Sequence, residues 1–215
     1  MVTLQLHQII VPPGQRVEFS DVSWSEFEAM LVELGDHRGN RIAYSHGTLE
    51  IMTPSPEHEV CKELIGDMAK ILFDELDIDN ECFGSTTFKR QTMSSGVEPD
   101  NCFYWRNPEP MIGRDRINLD LDPPPDLAIE IDITSKTKLG AYQSLEVLEL
   151  WRYDNYQLRI DILQNGQYVQ SSSSITFPTI PVIKGISQFL RLSRTTSRHQ
   201  VLRGFRQWVR DQMSG

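Results

Sequence analysis

The sequence predicts an α/β fold, a mixed β-sheet flanked by helices, and three stretches predict it. Asp126-Leu-Ala-Ile-Glu-Ile-Asp-Ile-Thr134 alternates in the way of a buried strand. Ser55-Pro56 opens a helix, with serine as N-cap and proline in the first turn. Its apolar stripe runs Cys61, Leu64, Ile65, Met68, Leu72 and Leu76. Asn165-Gly166, between Gln157-Leu-Arg-Ile-Asp-Ile-Leu163 and Gln167-Tyr-Val-Gln170, is a strong type I′ hairpin signal. Strands and amphipathic helices in one chain of this length imply a layered α/β domain.

The remaining elements follow along the chain. Ser23-Trp-Ser-Glu26 reads as a capping box, followed by Phe27, Met30, Leu31 and Leu34 at helical spacing and Gly35 as a stop. Arg41-Ile-Ala-Tyr-Ser45 and Thr48-Leu-Glu-Ile-Met52 flank His46-Gly47 as a hairpin. Short strands are expected at 81–85, 88–92 and 97–104, then a connection over 106–125 containing Pro and Gly. Leu139, Tyr142 and Leu145 suggest a short helix, and Glu149-Leu-Trp-Arg-Tyr153 a further strand. Val201, Phe205, Trp208 and Val209 give a final amphipathic helix.

At 215 residues the chain is expected to form a single domain, 1–215, in which 184–215 is a basic C-terminal helical segment. That segment holds Lys184, Arg191, Arg194, Arg198, Arg203, Arg206 and Arg210 against one acid, Asp211. The rest of the chain carries 14 basic and 29 acidic residues. A net charge of −9 argues against tight nonspecific nucleic-acid binding, so the arginines read first as a solvated face or subunit contact and second as phosphate contacts. Cys61, Cys82 and Cys102 are odd in number and lack CxxC spacing, which favours a reducing cytoplasm over a disulfide framework or zinc site. No apolar run reaches a membrane span, and Met1–His7 has no secretory pattern, so no membrane partner is expected.

The chemistry is expected around the acidic strand. Leu127, Ile129, Ile131 and Ile133 share one face; Asp126, Ala128, Glu130 and Asp132 share the other. Same-face neighbours lie about 7 Å apart, where two like charges repel by about 2.4 kcal/mol at an effective dielectric of 20. A divalent cation or a basic partner would convert that cost into binding. Upstream, Glu98-Pro99-Asp100 suits a strand edge or bend. If its strand neighbours the acidic one, Asp100 and Glu130 can share Mg²⁺, with Mn²⁺ as the alternative, completed by water and the Ile131 carbonyl. Such a site could activate water against a phosphodiester. A lysine would complete it, but position 132 of Glu-X-Lys holds aspartate. Lys136 keeps the strand parity of Glu130. Lys138 lies four before Tyr142 and seven before Leu145, so a helix would aim it inward, and it is favoured slightly. Asp132 could face solvent or act as a third carboxylate. Asp126 could simply bond backbone amides, and Tyr142 and Trp151 read as core. His58 shares the core side of its helix with Cys61 and Ile65.

Glu98-Pro-Asp100, Pro124-Pro-Asp-Leu-Ala-Ile-Glu-Ile131, Tyr142 and Leu148-Glu-Leu-Trp-Arg-Tyr-Asp154 together resemble the Uma-two type of restriction endonuclease, as does Met52-Thr-Pro-Ser-Pro-Glu-His58. The resemblance extends from about Trp24 to Trp208. It implies a restriction-endonuclease-like fold of the PD-(D/E)XK nucleases, often dimeric, with DNA as partner. It carries Asp100 and Glu130 over as metal ligands and His58 as a pocket residue. Duplex cleavage by two-fold enzymes also favours a homodimer. Asp132 at the lysine position motivates a rival, a noncatalytic DNA-binding or assembly module on the same scaffold; a phosphohydrolase of small nucleotides is a weaker third. The chain has no Gly-x-Ser-x-Gly elbow, Walker loop or dinucleotide fingerprint, and its histidines at 7, 37, 46, 58 and 199 form no HExxH motif.

Overall fold

The computed structural model describes residues 8–35 and 39–214. Met1–His7, read above for a targeting signal, and His37 lie outside the described residues. In chain order the elements are β1 (Gln15–Phe19), α1 (Trp24–Leu34), β2 (Arg41–Ser45), β3 (Thr48–Thr53) and α2 (Pro56–Glu75). There follow β4 (Glu81–Cys82), β5 (Phe88–Arg90), β6 (Ser95–Val97), β7 (Asn101–Tyr104) and β8 (Leu127–Ile131). The chain ends with α3 (Leu139–Ser144), β9 (Glu149–Asp154), β10 (Gln157–Gln164), β11 (Gln167–Ser171), α4 (Val182–Leu192) and α5 (Arg198–Met213).

The strands form the expected mixed sheet flanked by helices and, beside it, a second sheet. A six-stranded sheet has the order β11-β10-β9-β8-β7-β4, with β8 and β9 parallel and its other pairs antiparallel. A second, antiparallel sheet has the order β1-β3-β2-β6-β5. The expected strand over 97–104 is divided between them. Pro99 has no N–H to give to a ladder, so Glu98-Pro99-Asp100 carries the chain from β6 of one sheet to β7 of the other. β1 was not among the sequence expectations; it pairs along all of Gln15–Phe19 with β3.

Local signals act as their chemistry dictates. Ser23 and Glu26 close a reciprocal capping box at α1, and the Gly35 N–H bonds the Leu31 carbonyl. The Ser55 hydroxyl accepts from the His58 N–H at α2, with Pro56 in the first turn. Asn165 and Gly166 both take positive φ, 51° and 76°, in the tight turn between β10 and β11.

The alternation of β8 is realised as two cores. Leu127, Ile129 and Ile131 pack with Trp151 and Ile160 against the apolar stripes of α2, α4 and α5. Each such side chain contributes about 1.5–3 kcal/mol by leaving water. Ala128 and Leu150 face the other way, with Tyr104, Ala141, Tyr142 and Leu145. Both faces of the sheet are therefore covered, as a parallel strand pair requires. In a third cluster α1 packs Phe27 on Tyr44, Leu49 and Ile51 of the second sheet. Two glycines allow close packing. A Cβ on Gly66 of α2 would collide with the Asn101 side chain, and one on Gly185 of α4 with the Trp208 ring.

Four of the C-terminal arginines, on a solvated face as expected, also pair with acids of α2. Arg206 and Arg210 pair with Glu75 of α2 at 2.5 and 2.6 Å, Arg206 approaches Asp74 at 3.5 Å, and Arg198 pairs with Asp67. Arg194 binds Glu57 at 2.7 Å and stacks on Tyr156, 4.4 Å from its ring centre. The basic segment is thus an ionic clasp on the acidic side of α2. Among the described residues no helix is long and apolar enough to cross a membrane.

Candidate active site

The site forms where β6 crosses into β7 beside the C-terminal end of β8. Asn101 pairs with Ile129, and the Asp100 N–H donates to the Ile129 carbonyl at 3.0 Å. Asp100 is therefore the next residue along β7 towards Glu130, and both side chains line one narrow cavity of about 40 Å³. The Asp100 carboxylate replaces a ladder bond: its Oδ2 accepts from the Ile131 N–H at 2.9 Å. Because the N–H and C=O of a strand residue point to the same edge, the Ile131 carbonyl also faces this side. Two acids 30 positions apart in the chain are brought together by one sheet register.

His58 is fully buried at the start of α2, its Nε2 lying 3.2 Å from Asp100 Oδ2. Its Nδ1 lies 3.5 Å from Glu59 Oε1. On the other side, Arg41 Nε of β2 lies 3.8 Å from Asp100 Oδ1. Asp100 thus accepts a hydrogen bond from a backbone amide and lies within ion-pair distance of an imidazole and a guanidinium whose facing nitrogens make no hydrogen bond.

Glu130 is held more loosely. Its Oε1 accepts from the Tyr142 hydroxyl at 2.5 Å. Burial, and then the charge of Asp100, push the Glu130 carboxyl well above the usual range; Tyr142 works against this and Asp132 adds to it. Tyr142, read from sequence as core, is core on its ring and site on its hydroxyl. Burial and the facing Glu130 raise its phenol well above the normal value, so it stays a donor.

The three residues weighed for the site's cation or third acid separate cleanly. β8 ends at Ile131, so strand parity does not carry to Lys136, contrary to the expectation. Lys136 donates to the Asp132 carbonyl at 3.1 Å, pairs with Asp154 at 2.6 Å, and its side chain is 63 % exposed. Lys138 is the N-cap of α3 rather than a residue within the helix, yet its Nζ is buried in the same cavity without a hydrogen-bond partner. The nearest acids to that Nζ are Glu18 at 3.5 Å and Glu50 at 4.0 Å. Asp132 does not face solvent. It is 4 % exposed, its Oδ1 accepts from the Thr137 N–H and hydroxyl at 2.8 and 2.5 Å, and Arg152 lies 3.7 Å from its Oδ2. Asp126 bonds the backbone N–H groups of Trp105 and Arg106, a strand-start role.

Sequence reasoning passed over Arg41 and Glu50. Register shows why they matter: the rows Arg16–Met52–Arg41 and Glu18–Glu50–Ala43 share one face of the second sheet. The opposite face holds Val17, Ile51, Ile42, Phe19, Leu49 and Tyr44 against α1. The charged face contributes Arg41, Glu50 and Met52 to the wall over Asp100 and Glu130. The available signal was polar alternation in both hairpin strands at Arg41, Ala43, Ser45 and Thr48, Glu50, Met52.

Among the described residues no group of three or more His, Cys, Asp or Glu side chains is arranged to hold a metal. An ion here would draw on two carboxylates, the Ile131 carbonyl and water. That oxygen-only, water-rich set fits Mg²⁺, and the raised Glu130 carboxyl marks a place where added positive charge is favourable.

The model of the Uma2 family, described as "Putative restriction endonuclease", matches residues 24–193, leaving α5 outside the match. A solved structure, a putative nuclease belonging to DUF820 from Anabaena variabilis ATCC 29413, is similar with a TM-score of 0.45 and 16 % identity, over 74 % of this chain and 90 % of that one. No curated protein matches the chain. With most of its length matched by the family model, from α1 through α4, the chain belongs to the Uma2 family of putative restriction endonucleases.

Proposed function

We propose that the protein is an Mg²⁺-dependent endonuclease that hydrolyses DNA phosphodiester bonds at Asp100 and Glu130. The observation that carries this reading is the convergence of those two carboxylates in one cavity with the buried Lys138 ammonium, which makes no hydrogen bond and lies 3.5 Å from Glu18. Asp100, Glu130 and the Ile131 carbonyl would hold the metal, Mg²⁺ or Mn²⁺. Bound there, the ion would supply Lewis-acid stabilisation of the phosphate and a more acidic water. His58 and the Ile131 N–H fix the Asp100 carboxylate, and Tyr142 fixes Glu130. Lys138, rather than Lys136, stands where a cation can meet a phosphate oxygen or the attacking water. Arg41 adds a second positive charge to the same wall.

Supercoiled plasmid with Mg²⁺ tests the reading. Wild-type protein should nick it, Asp100→Ala and Glu130→Ala should not, and retained cleavage in both variants would overturn the assignment. The same reading expects a homodimer, since two cuts on opposite strands favour two-fold symmetry; light scattering showing a monomer at every concentration would remove that part. With Cys61, Cys82 and Cys102 all free, a reducing cytoplasm is the matching compartment.

One observation favours a second reading, a noncatalytic DNA-binding or assembly module. Asp132, at the position of the usual lysine, is committed to Thr137 and Arg152. Metal-independent DNA binding without cleavage of any substrate would favour it; Mg²⁺-dependent nicking would exclude it.

A further inference from the structure

From β10 onward the cations other than Arg203 fall into two sets. Arg194, Arg198, Arg206 and Arg210 are neutralised by acids, Glu57, Asp67, Asp74 and Glu75. Arg159, Lys184 and Arg191 are exposed, and no acid among the described residues pairs with them. These three converge on one open groove of about 720 Å³ between α4 and the β10–β11 edge. Its other polar lining is Gln157, Gln170, Ser171, Ser172 and Ser187, and it contains no carboxylate. A local charge of three, in a chain of net charge −9, is a built concentration of positive potential ringed by uncharged donors.

The sheet register ties one side of this groove, Arg159, to the candidate active site; Lys184 and Arg191 belong to α4, which packs on the opposite face of the sheet. Glu130 is opposite Arg152, and Arg152 is opposite Arg159, so the three form a row across β8, β9 and β10 on one face. Arg152, in the middle, is neutralised by Asp161 at 2.7 Å and approached by Asp132. Arg159 is the first open cation along that row. Two strand spacings separate it from Glu130, about 10 Å.

We infer that the Arg159–Lys184–Arg191 groove carries the sugar–phosphate backbone of the DNA round the β10 edge of the sheet, holding phosphates beyond the one at Glu130. This rests on the DNA-cleaving reading and adds to it where the strand leaves the catalytic cavity. Free cations in an acid-free groove suit a polyanion. The serines and glutamines suit phosphate oxygens.

The test is fluorescence anisotropy of the full chain with a labelled duplex in EDTA, so that no cleavage intervenes, over a series of salt concentrations. The triple variant Arg159→Ala, Lys184→Ala, Arg191→Ala should lose at least about tenfold in affinity at low salt. Its slope of log K against log salt should fall by about 2.7, at about 0.9 per phosphate contact. Its melting temperature should stay at the wild-type value, because none of the three side chains is paired. Arg203→Ala, an exposed arginine on α5 away from the groove, is the control and should bind as wild type. Wild-type binding with an unchanged slope in the triple variant would overturn the groove and leave the nuclease reading standing. An equal loss in Arg203→Ala would show a general charge effect and overturn it too. No salt-dependent binding by the wild type would remove both the groove and the DNA-cleaving reading.

Discussion

Glu149 and Glu130 sit on adjacent strands of one sheet, and the protein treats the two carboxylates in opposite ways. Glu149 is wholly buried and fully supplied with donors. The Trp151 indole N–H reaches Oε1 at 2.6 Å; the N–H groups of Ile175 and Thr176 and the Thr176 hydroxyl reach Oε2 at 3.1, 2.9 and 2.7 Å. It staples the segment before α4 to the start of β9. Among the described residues Glu130 has one donor, Tyr142, and two acids beside it. A carboxylate that holds structure is given its hydrogen bonds; one left short of them among like charges is poised for a cation.

The sharpest way to break this contrast is to remove each acid in turn. Glu130→Ala or Asp100→Asn should lower Mg²⁺-dependent DNA cleavage at least about ten-thousandfold, about 5.5 kcal/mol of barrier, while both proteins still melt cooperatively. Glu149→Ala should do the reverse. Stranding the Thr176 and Ile175 amides and the Trp151 indole in the core should cost about 3–4 kcal/mol, seen as a lowered urea midpoint. If Glu149→Ala is as stable as wild type, the structural half of the comparison fails.

Lysine position sharpens the catalytic half. Lys138→Met should lower cleavage about a hundredfold, close to 2.7 kcal/mol, whereas Lys136→Met should leave single-turnover rates nearly unchanged. The reverse order would return the role to Lys136.

Glu130 also predicts a pH signature in metal-stripped protein. Its carboxyl is raised in the folded state, so its contribution to stability is full below the unfolded pKa, about 4.3, and is lost as pH rises through the higher folded value. Glu130→Gln should therefore stabilise the stripped protein by about 1 kcal/mol at neutral pH, with the gain vanishing towards pH 4. A gain that grows on acidification would contradict the cause assigned here. The smallest effect belongs to the clasp. Glu75→Ala should lower the melting temperature by no more than about 3 °C, and salt near 0.5 M should erase the difference.

Much of the fold was legible because its signals are short. Ser23 and Glu26 are three residues apart and decide a helix start between them. Asn165-Gly166 needs only its own dihedral angles, and the alternation of Leu127, Ile129 and Ile131 needs only one strand. The second sheet was less legible. Its charged face over the site shows no core pattern, and the break at Pro99 fell between Val97 and Cys102–Tyr104, stretches close enough to read as one strand. At the site, Asp100, Glu130 and buried His58 stood out as polar groups among apolar neighbours. Arg41 and Glu50 did not, since a charged residue on a hairpin is ordinarily a solvated one.

The amino-acid order alone determined where helices and turns begin and which strand faces are apolar, because those choices depend on backbone dihedrals and hydrogen bonds within a few residues. It did not determine that Glu98-Pro99-Asp100 bridges two sheets, that Lys138 rather than Lys136 lies buried beside the acids, or that the terminal arginines close on α2. Those outcomes depend on strand register and on which surfaces meet after long loops close. Only the assembled fold fixes them, because the burial and pairing that select them are made between residues distant in the chain.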